Sequence, residues 1–197
     1  MGAVASIALA TTASAHDWYI GIEGGGNWMD DVDAVGTLGG VPGSGTFAGD
    51  SGWALIGTVG HEFGGNWRIE GEVGYRKNST DTSGYIDISE LSVMVNALYD
   101  IHCSPSMSLT LGAGVGYDQT TFEVGGVEAD DSDIAWQGIL GWNYAIGKET
   151  DLSITYRYFN HGGSSFSAGA GIASIDFDDV TDHSVTIGLR FHMGGVE

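Results

Sequence analysis

The 197-residue chain carries 26 acidic and only 6 basic side chains, for a formal net charge of −20, and 34 of its residues are glycine. Phosphate binding needs clusters of Lys and Arg, so this composition argues against a nucleic-acid partner and against direct attraction to anionic lipid. The single cysteine, Cys103, excludes a disulfide framework and a multi-cysteine zinc site.

The first fifteen residues have the pattern of a processed export signal. A small, apolar stretch precedes Ala13-Ser14-Ala15, which matches an A-x-A cleavage site. The basic segment that normally opens such a signal is missing, so a truncated start is left open. We therefore expect a signal peptide at residues 1–15 and one domain at residues 16–197.

Eight segments of the remaining chain alternate apolar with polar or small residues, which is the signature of a β-strand. They lie at 18–28, 52–63, 67–77, 88–101, 107–123, 134–146, 151–159 and 183–193. The last segment ends four residues before the chain does and would be an aggregation-prone edge if unpaired. Pairing it with the first segment closes the sheet into a barrel.

The connections between these segments alternate in length. Those at 64–66, 102–106 and 147–150 are short, whereas those at 29–51, 78–87, 124–133 and 160–182 are longer and rich in Gly, Ser and Asp. The longer ones contain many acidic residues and no Lys or Arg. Short turns at one end and long loops at the other are typical of an up-and-down antiparallel barrel in an outer membrane.

Residue parity divides each strand into an apolar face and a polar face. All four arginines fall on the polar face, together with several glutamates, so the membrane interpretation places these charges inside the barrel as an ion-paired lumen. That predicted lumen network consists of Glu23, Glu62, Arg68, Glu70, Glu72, Arg76, Glu90, Arg157 and Arg190. Parity alone also allows a soluble barrel with the apolar face inside. The export signal, the aromatic residues near strand ends and the loop asymmetry favour the membrane barrel.

The chain resembles the eight-stranded outer-membrane β-barrel family, which includes the OmpA-type transmembrane domain and the opacity-type, porin-family surface proteins of Gram-negative bacteria. The resemblance rests on Trp18-Tyr-Ile-Gly-Ile-Glu-Gly-Gly-Gly26, on Gly-Ala-Gly-Val-Gly-Tyr at 112–117, on Tyr156-Arg-Tyr-Phe159 and on the closing strand. It implies an all-β, eight-stranded antiparallel transmembrane barrel in the cell outer membrane, with both termini periplasmic and lipopolysaccharide around it.

The closing strand also resembles the signal by which such barrels are recognised for assembly. Thr186, Gly188, Phe191 and Met193 match a polar-x-Gly-x-x-aromatic-x-hydrophobic pattern. The resemblance implies the barrel-assembly machinery as a partner. The chain departs from the family because Gly194–Glu197 follow the last signal residue, where the family usually ends.

Candidate chemistry is sparse, and no cofactor is predicted. Asp176, Asp178 and Asp179 are weak candidates for binding a divalent cation through carboxylate oxygens, with a solvated acidic loop as the alternative. His161 with Ser164 and Ser165 resembles part of a hydrolase site, but a polar loop explains these residues as well.

The sequence therefore favours a non-enzymatic surface or structural protein of the outer membrane, with adhesion or a role as surface antigen as the finer hypotheses. A narrow, porin-like channel for small solutes is the second hypothesis. A barrel enzyme that modifies lipid A is the third.

Overall fold

The computed structural model describes residues 18–38, 40–47, 49, 51–79, 86–124, 127–162, 165–168, 173–177 and 179–193. The expected signal peptide and Gly194–Glu197 lie outside these residues. Within the described part of the chain, no helix is long and apolar enough to cross a membrane.

The described residues form twelve β-strands. They are β1 (Trp18–Met29), β2 (Val32–Leu38), β3 (Val41–Phe47), β4 (Ser51–Phe63), β5 (Trp67–Ser79), β6 (Ile86–Ser104), β7 (Met107–Val124), β8 (Val127–Ala145), β9 (Thr150–His161), β10 (Ser165–Ala168), β11 (Ala173–Phe177) and β12 (Val180–His192). Eight of these strands correspond to the eight predicted segments.

Those eight strands close into an antiparallel barrel in the order β1-β12-β9-β8-β7-β6-β5-β4. The final strand pairs with β9 on one side and with β1 on the other, in a register that runs from Tyr19↔His192 to Met29↔Asp182. The predicted fold class is confirmed, and closure removes the exposed edge that an unpaired last strand would leave.

The two ends of the barrel differ, and we name them by their connections. The turn end carries the turns at 64–66, 105–106 and 146–149, and the loop end is the opposite one. The first of these turns uses left-handed backbone at Gly65 (φ 85°) and Asn66 (φ 71°), the conformation that Gly and Asn tolerate best.

Two of the predicted loops are wrong, because each contains a pair of strands. Strands β2 and β3 lie within 29–51, strands β10 and β11 lie within 160–182, and the four form a second sheet in the order β10-β11-β2-β3. Since β1 and β12 are neighbours in the barrel, the segment after β1 and the segment before β12 lie side by side. Ala173 to Phe177 then pair with Leu38 to Ala34.

The predicted loop at 124–133 is also largely strand. Pairing between β7 and β8 continues to Val124↔Val127, through the acidic stretch that suggested a loop. Beyond the bilayer both faces of a strand meet water, so charged residues on either face do not interrupt the hydrogen-bonded ladder.

The faces of the barrel decide between the two alternatives that parity left open. The outward side chains are apolar, including Val115 (64% exposed) and Ile187 (56%), whereas Arg76 and Arg157 point inward and are at most 2% exposed. A soluble barrel would reverse this arrangement, since a continuous apolar wall facing water is unfavourable. The wall is suited to lipid.

Aromatic side chains form a girdle at each end of this wall. At the turn end Trp67 packs against Tyr99 with ring centroids 5.0 Å apart. At the loop end Trp53 packs against Tyr75, and Trp136 against Tyr158, each pair at 5.4 Å. Two such belts flanking an apolar band mark the two membrane interfaces of an outer-membrane barrel.

Candidate functional site in the barrel lumen

The lumen is the candidate site because strand alternation directs most of the described charged side chains of the barrel strands into it. We divide it into three levels: a turn-end network around Arg68 and Arg190, a central network around Arg157, and a loop-end cluster around His161.

The central network joins opposite walls of the barrel. Arg157 on β9 donates from Nη1 to Glu23 Oε2 on β1 at 2.7 Å and from Nε to Glu72 Oε2 on β5 at 3.2 Å. In the strand order, β9 and β5 are four positions apart in a ring of eight, so this side chain spans the lumen. Thr186 on β12 adds a hydrogen bond of 2.6 Å to Glu23.

Amide side chains complete the coordination of Glu72. Asn96 Nδ2 donates to Glu72 Oε2 at 3.1 Å, and Gln137 Nε2 donates to Glu72 Oε1 at 3.2 Å and to Asn96 Oδ1 at 2.8 Å. Buried charge is tolerated only when it is paired and hydrogen-bonded, and this carboxylate has three donors. The centre of the barrel is therefore a polar plug.

The turn-end network is built on Arg68. Its guanidinium forms an ion pair with Asp100, at 2.6 Å from Nε to Oδ2, and donates to the Tyr19 hydroxyl at 2.8 Å. Tyr19 in turn donates to Glu70 at 2.9 Å. Thr110 donates to Asp100, which leaves both oxygens of that carboxylate in contact with partners.

A vestibule opens at the turn end, below Arg68. It has a volume of about 310 Å³, and Arg190 on its wall forms an ion pair of 2.6 Å with Asp151. His192 contacts the same Asp151 oxygen at 3.0 Å and lies 3.7 Å from Glu62. Further in, a second and much smaller cavity of about 30 Å³ lies between Glu23, Arg68 and Arg157.

The loop-end cluster lies on the other side of an apolar layer. Met94, Ala135 and Phe159 pack together inside the barrel, and the Arg76 guanidinium lies 3.9 Å above the Phe159 ring. One step further along the strands are Glu90 and Asp182, both buried, with ligand atoms within 4.8 Å of each other and of a His161 ring nitrogen.

The structure brings the nine sequence-predicted lumen residues into one lumen but distributes them over the three levels. Glu62 and Arg190 line the vestibule, Arg68 and Glu70 the turn-end network, and the remaining five lie at the central and loop-end levels. Glu62 is the most accessible, with a side chain 39% exposed. The ion-pair partners of these residues are distant from them in sequence. Glu23 pairs with Arg157, and Arg190 pairs with Asp151.

Sequence reasoning missed several residues of this site. Asp118 and Asp151 lie on the polar parity of predicted strands, so the same alternation would have found them. His161 and Asp182 lie just beyond the predicted strand ends, and extending β9 and β12 in phase would have placed both in the lumen.

The four assembly-signal residues lie on both faces of the closing segment, three of them in β12 and Met193 directly after it. Thr186 points inward to Glu23, and Gly188 lies where a Cβ would collide with the backbone of β1 at Ile22 and Glu23. Phe191 and Met193 point outward and are about 40% exposed. The closing strand thus needs a small residue at 188 for its contact with β1.

The acidic loop candidates fall mostly outside what the structure describes. Asp178 lies outside the described residues, the side chain of Asp176 is not described, and Asp179 is exposed. Ser164 also lies outside, and the side chain of Ser165 is not described, so the hydrolase interpretation is left with His161, which faces Glu90 across the lumen.

The apolar wall, the two aromatic girdles and the plugged, charged lumen define a transmembrane β-barrel of the outer-membrane type. The family model of the outer membrane protein beta-barrel domain matches residues 1–192, and the chain belongs to this family. The predicted family resemblance is confirmed.

Solved structures with the same fold are distant in sequence. The chain is similar to Neisserial surface protein A (NspA), with 18% identity and a TM-score of 0.66 over 92% of this chain and 99% of that one. It is also similar to the outer membrane protein OprG from Pseudomonas aeruginosa, with 19% identity and a TM-score of 0.57 over 91% and 98%. No curated protein sequence matches the chain. Similarity at this level shows the fold alone.

Proposed function

We propose that this protein is a non-enzymatic surface and structural protein of the outer membrane, with the turn end and both termini in the periplasm and the acidic loop end outside the cell. The observation that carries the proposal is the plug: Arg157 bridges opposite walls of the lumen, and the cavity beside it holds about 30 Å³. A barrel that is closed at its centre displays its ends rather than conducting solutes.

The lumen side chains support a structural rather than a catalytic role. The carboxylates of the central and turn-end networks accept hydrogen bonds from Arg, Asn, Gln, Thr or Tyr side chains, which fixes the carboxylates in place. A general base or nucleophile instead needs a reacting atom within reach of a substrate. These groups are committed to holding strands together.

The loop end supports display toward a partner outside the cell. Asp30 and Asp31 are exposed just before the second sheet, Asp33 is exposed within its strand β2, and Asp179 is exposed where the chain enters β12. Such a surface attracts cations, and divalent ions would bridge it to the phosphates of neighbouring lipopolysaccharide. Adhesion through this surface is the finer part of the proposal, and the similar Neisserial structure carries the name of a surface protein.

The same proposal assigns residues 1–15 to export, residues 16–197 to the barrel domain and the end of β12 to assembly. Phe191 and Met193 lie on the lipid-facing side of the closing strand, where the barrel-assembly machinery would meet them before closure. Pairing of β12 with β1 then buries Thr186 against Glu23.

An epitope inserted at Gly40 is expected to be accessible on intact cells. Gly40 is an exposed turn residue between β2 and β3, so an insertion there leaves the barrel strands unchanged. The matched control is the same epitope at Gly65, in the turn between β4 and β5, which should be reached only after the outer membrane is permeabilised. Antibody binding to whole and permeabilised cells measures both, and the reverse pattern would invert the proposed orientation.

The purified protein is expected to show no steady conductance in planar lipid bilayers, because the central network closes the lumen. Single-channel recording at several voltages checks this. A steady, ion-selective conductance that disappears when Arg157 or Arg190 is replaced would contradict the structural role and support the narrow channel instead.

A further inference from the structure

We propose that the loop-end cluster is a binding site for one divalent transition-metal ion, with Zn²⁺ as the ion that its ligands fit. The ligands are Glu90 from β6, His161 from β9 and Asp182 from β12. Each offers one ligand atom, and the three atoms lie within 4.8 Å of one another. β6 and β12 are opposite walls of the barrel, so the three side chains converge on the interior from different directions.

The three side chains are buried and leave ligand atoms without partners. Glu90 is 1% exposed and Asp182 0%, yet neither Glu90 oxygen nor Asp182 Oδ2 has a hydrogen-bond partner, and His161 Nε2 has none either. The separation of His161 Nε2 from Glu90 Oε1, 3.8 Å, is too long for a hydrogen bond. Leaving buried polar atoms unpaired is costly, so their convergence on one point indicates a ligand between them.

Hydrogen bonds on the far side of two of these residues orient the free atoms. His161 Nδ1 lies 3.3 Å from the Gly162 carbonyl, which accepts only, so Nδ1 carries a proton and Nε2 is the ring nitrogen that faces the cluster, where a metal ion would displace any proton it carries. Asp182 Oδ1 accepts from Asn27 at 2.8 Å and from Asn78 at 3.3 Å, which leaves Oδ2 toward the other ligands. Outer contacts of this kind orient the ligands of metal sites.

The charged side chains around the cluster are suited to a divalent cation. Asp118 interacts electrostatically with Glu90 and His161 in the same part of the lumen, as does Asp182 with Glu90 and Arg76. Arg76 is the cation there, but it donates to Ser92 and lies over Phe159, and it forms no ion pair with the described carboxylates. Metal binding requires ionised carboxylates and a neutral imidazole. In that state three carboxylates and one guanidinium carry a net charge of −2, which an ion of charge +2 balances. The apolar layer of Met94, Ala135 and Phe159 separates these charges from the central network.

The ligand set favours Zn²⁺ over Ca²⁺ or Mg²⁺. One imidazole and two carboxylates, with water in a fourth position, make a four-coordinate nitrogen and oxygen site. Ca²⁺ takes six to eight oxygen ligands, and a site with one imidazole and two carboxylates is short of them. Zn²⁺ with bonds of about 2.1 Å places its ligand atoms roughly 3.4 Å apart, so small side-chain rotations complete the site.

The test is a titration of the purified, folded barrel in detergent with Zn²⁺, in which isothermal titration calorimetry measures the heat of binding. We expect saturable binding of one ion per chain, and weakening by at least about 100-fold in Glu90→Gln, which keeps the shape of the side chain but removes its charge. Zn²⁺ should also raise the unfolding temperature of the wild type and not that of Glu90→Gln. Ca²⁺ and Mg²⁺ serve as comparison ions.

The matched control is Glu149→Gln, an exposed acid in the turn at the opposite end of the barrel, whose affinity should stay within about twofold of the wild type. Asp179→Asn, in the acidic segment close to the cluster in sequence, tests whether the ion binds the loops instead. Circular dichroism establishes that each variant is folded, and His161→Gln replaces Glu90→Gln if the latter does not fold. Absence of saturable Zn²⁺ binding to the wild type, or unchanged affinity in the folded cluster variant, would overturn the site. Loss of binding in Asp179→Asn alone would place it in the loops instead.

Discussion

Replacing Arg157 with methionine is expected to lower the free energy of unfolding by about 3–5 kcal/mol, because the change leaves Glu23 and Glu72 as buried charges without their cation. Both carboxylates bind the Arg157 guanidinium, at 2.7 and 3.2 Å, and the arginine side chain is 2% exposed. Urea unfolding of the barrel in lipid vesicles, followed by tryptophan fluorescence, measures the loss.

Two further variants separate this effect from lost packing. Arg190→Met removes a guanidinium from the vestibule, where Asp151 keeps His192 as a partner and has access to water, so a smaller loss of about 1 kcal/mol is expected. Adding Glu23→Gln and Glu72→Gln to Arg157→Met removes the orphaned charges and should recover part of the stability. Equal losses in the two single variants, or no recovery in the triple variant, would show that the central ion pairs do not hold the barrel together.

The barrel and the contents of its lumen were predictable from sequence because both follow from one local rule. Side chains alternate between the two faces of a strand, so the polar residues at alternate positions, among them Arg68, Arg76 and Arg157, had to lie on the same face of the sheet. Which face meets lipid was not a local property, and parity allowed either answer. Only the closed barrel, with Val115 outside and Arg157 inside, decides it.

The pairing of charges across the lumen was beyond sequence reasoning because it depends on closure and on strand register. Glu23 and Arg157 are 134 residues apart, and they meet because β12 lies between β1 and β9 in the barrel. The second sheet has the same origin, since β2 and β11 are neighbours only after β12 has paired with β1.

The loop-end cluster was missed for a different reason. The chain becomes rich in Gly and Ser after His161 and acidic before Asp182, and sequence of either kind is typical of loops, so the predicted strands stopped short of both residues. In the structure β9 and β12 continue with the same alternation beyond the aromatic girdle at the loop end, so their inward side chains there still point into the lumen. A charge close to a strand end therefore needs to be assigned by parity before it is assigned to a loop.

Replacing Val95 with arginine is expected to destabilise the barrel in lipid vesicles by about 2–4 kcal/mol, the cost of an arginine on the lipid face at mid-bilayer. Val95 is 50% exposed on the outward face of β6 and pairs with Gly71, which lies midway between Trp67 and Tyr75 of the two girdles. Ile101→Arg is the matched control, because it puts the same charge on the same face of the same strand, about 20 Å further along and beyond Tyr99. There the arginine reaches water, and the expected cost is about 0–1 kcal/mol. Urea unfolding measures both variants, and a cost that does not depend on depth would show that the apolar wall does not face lipid.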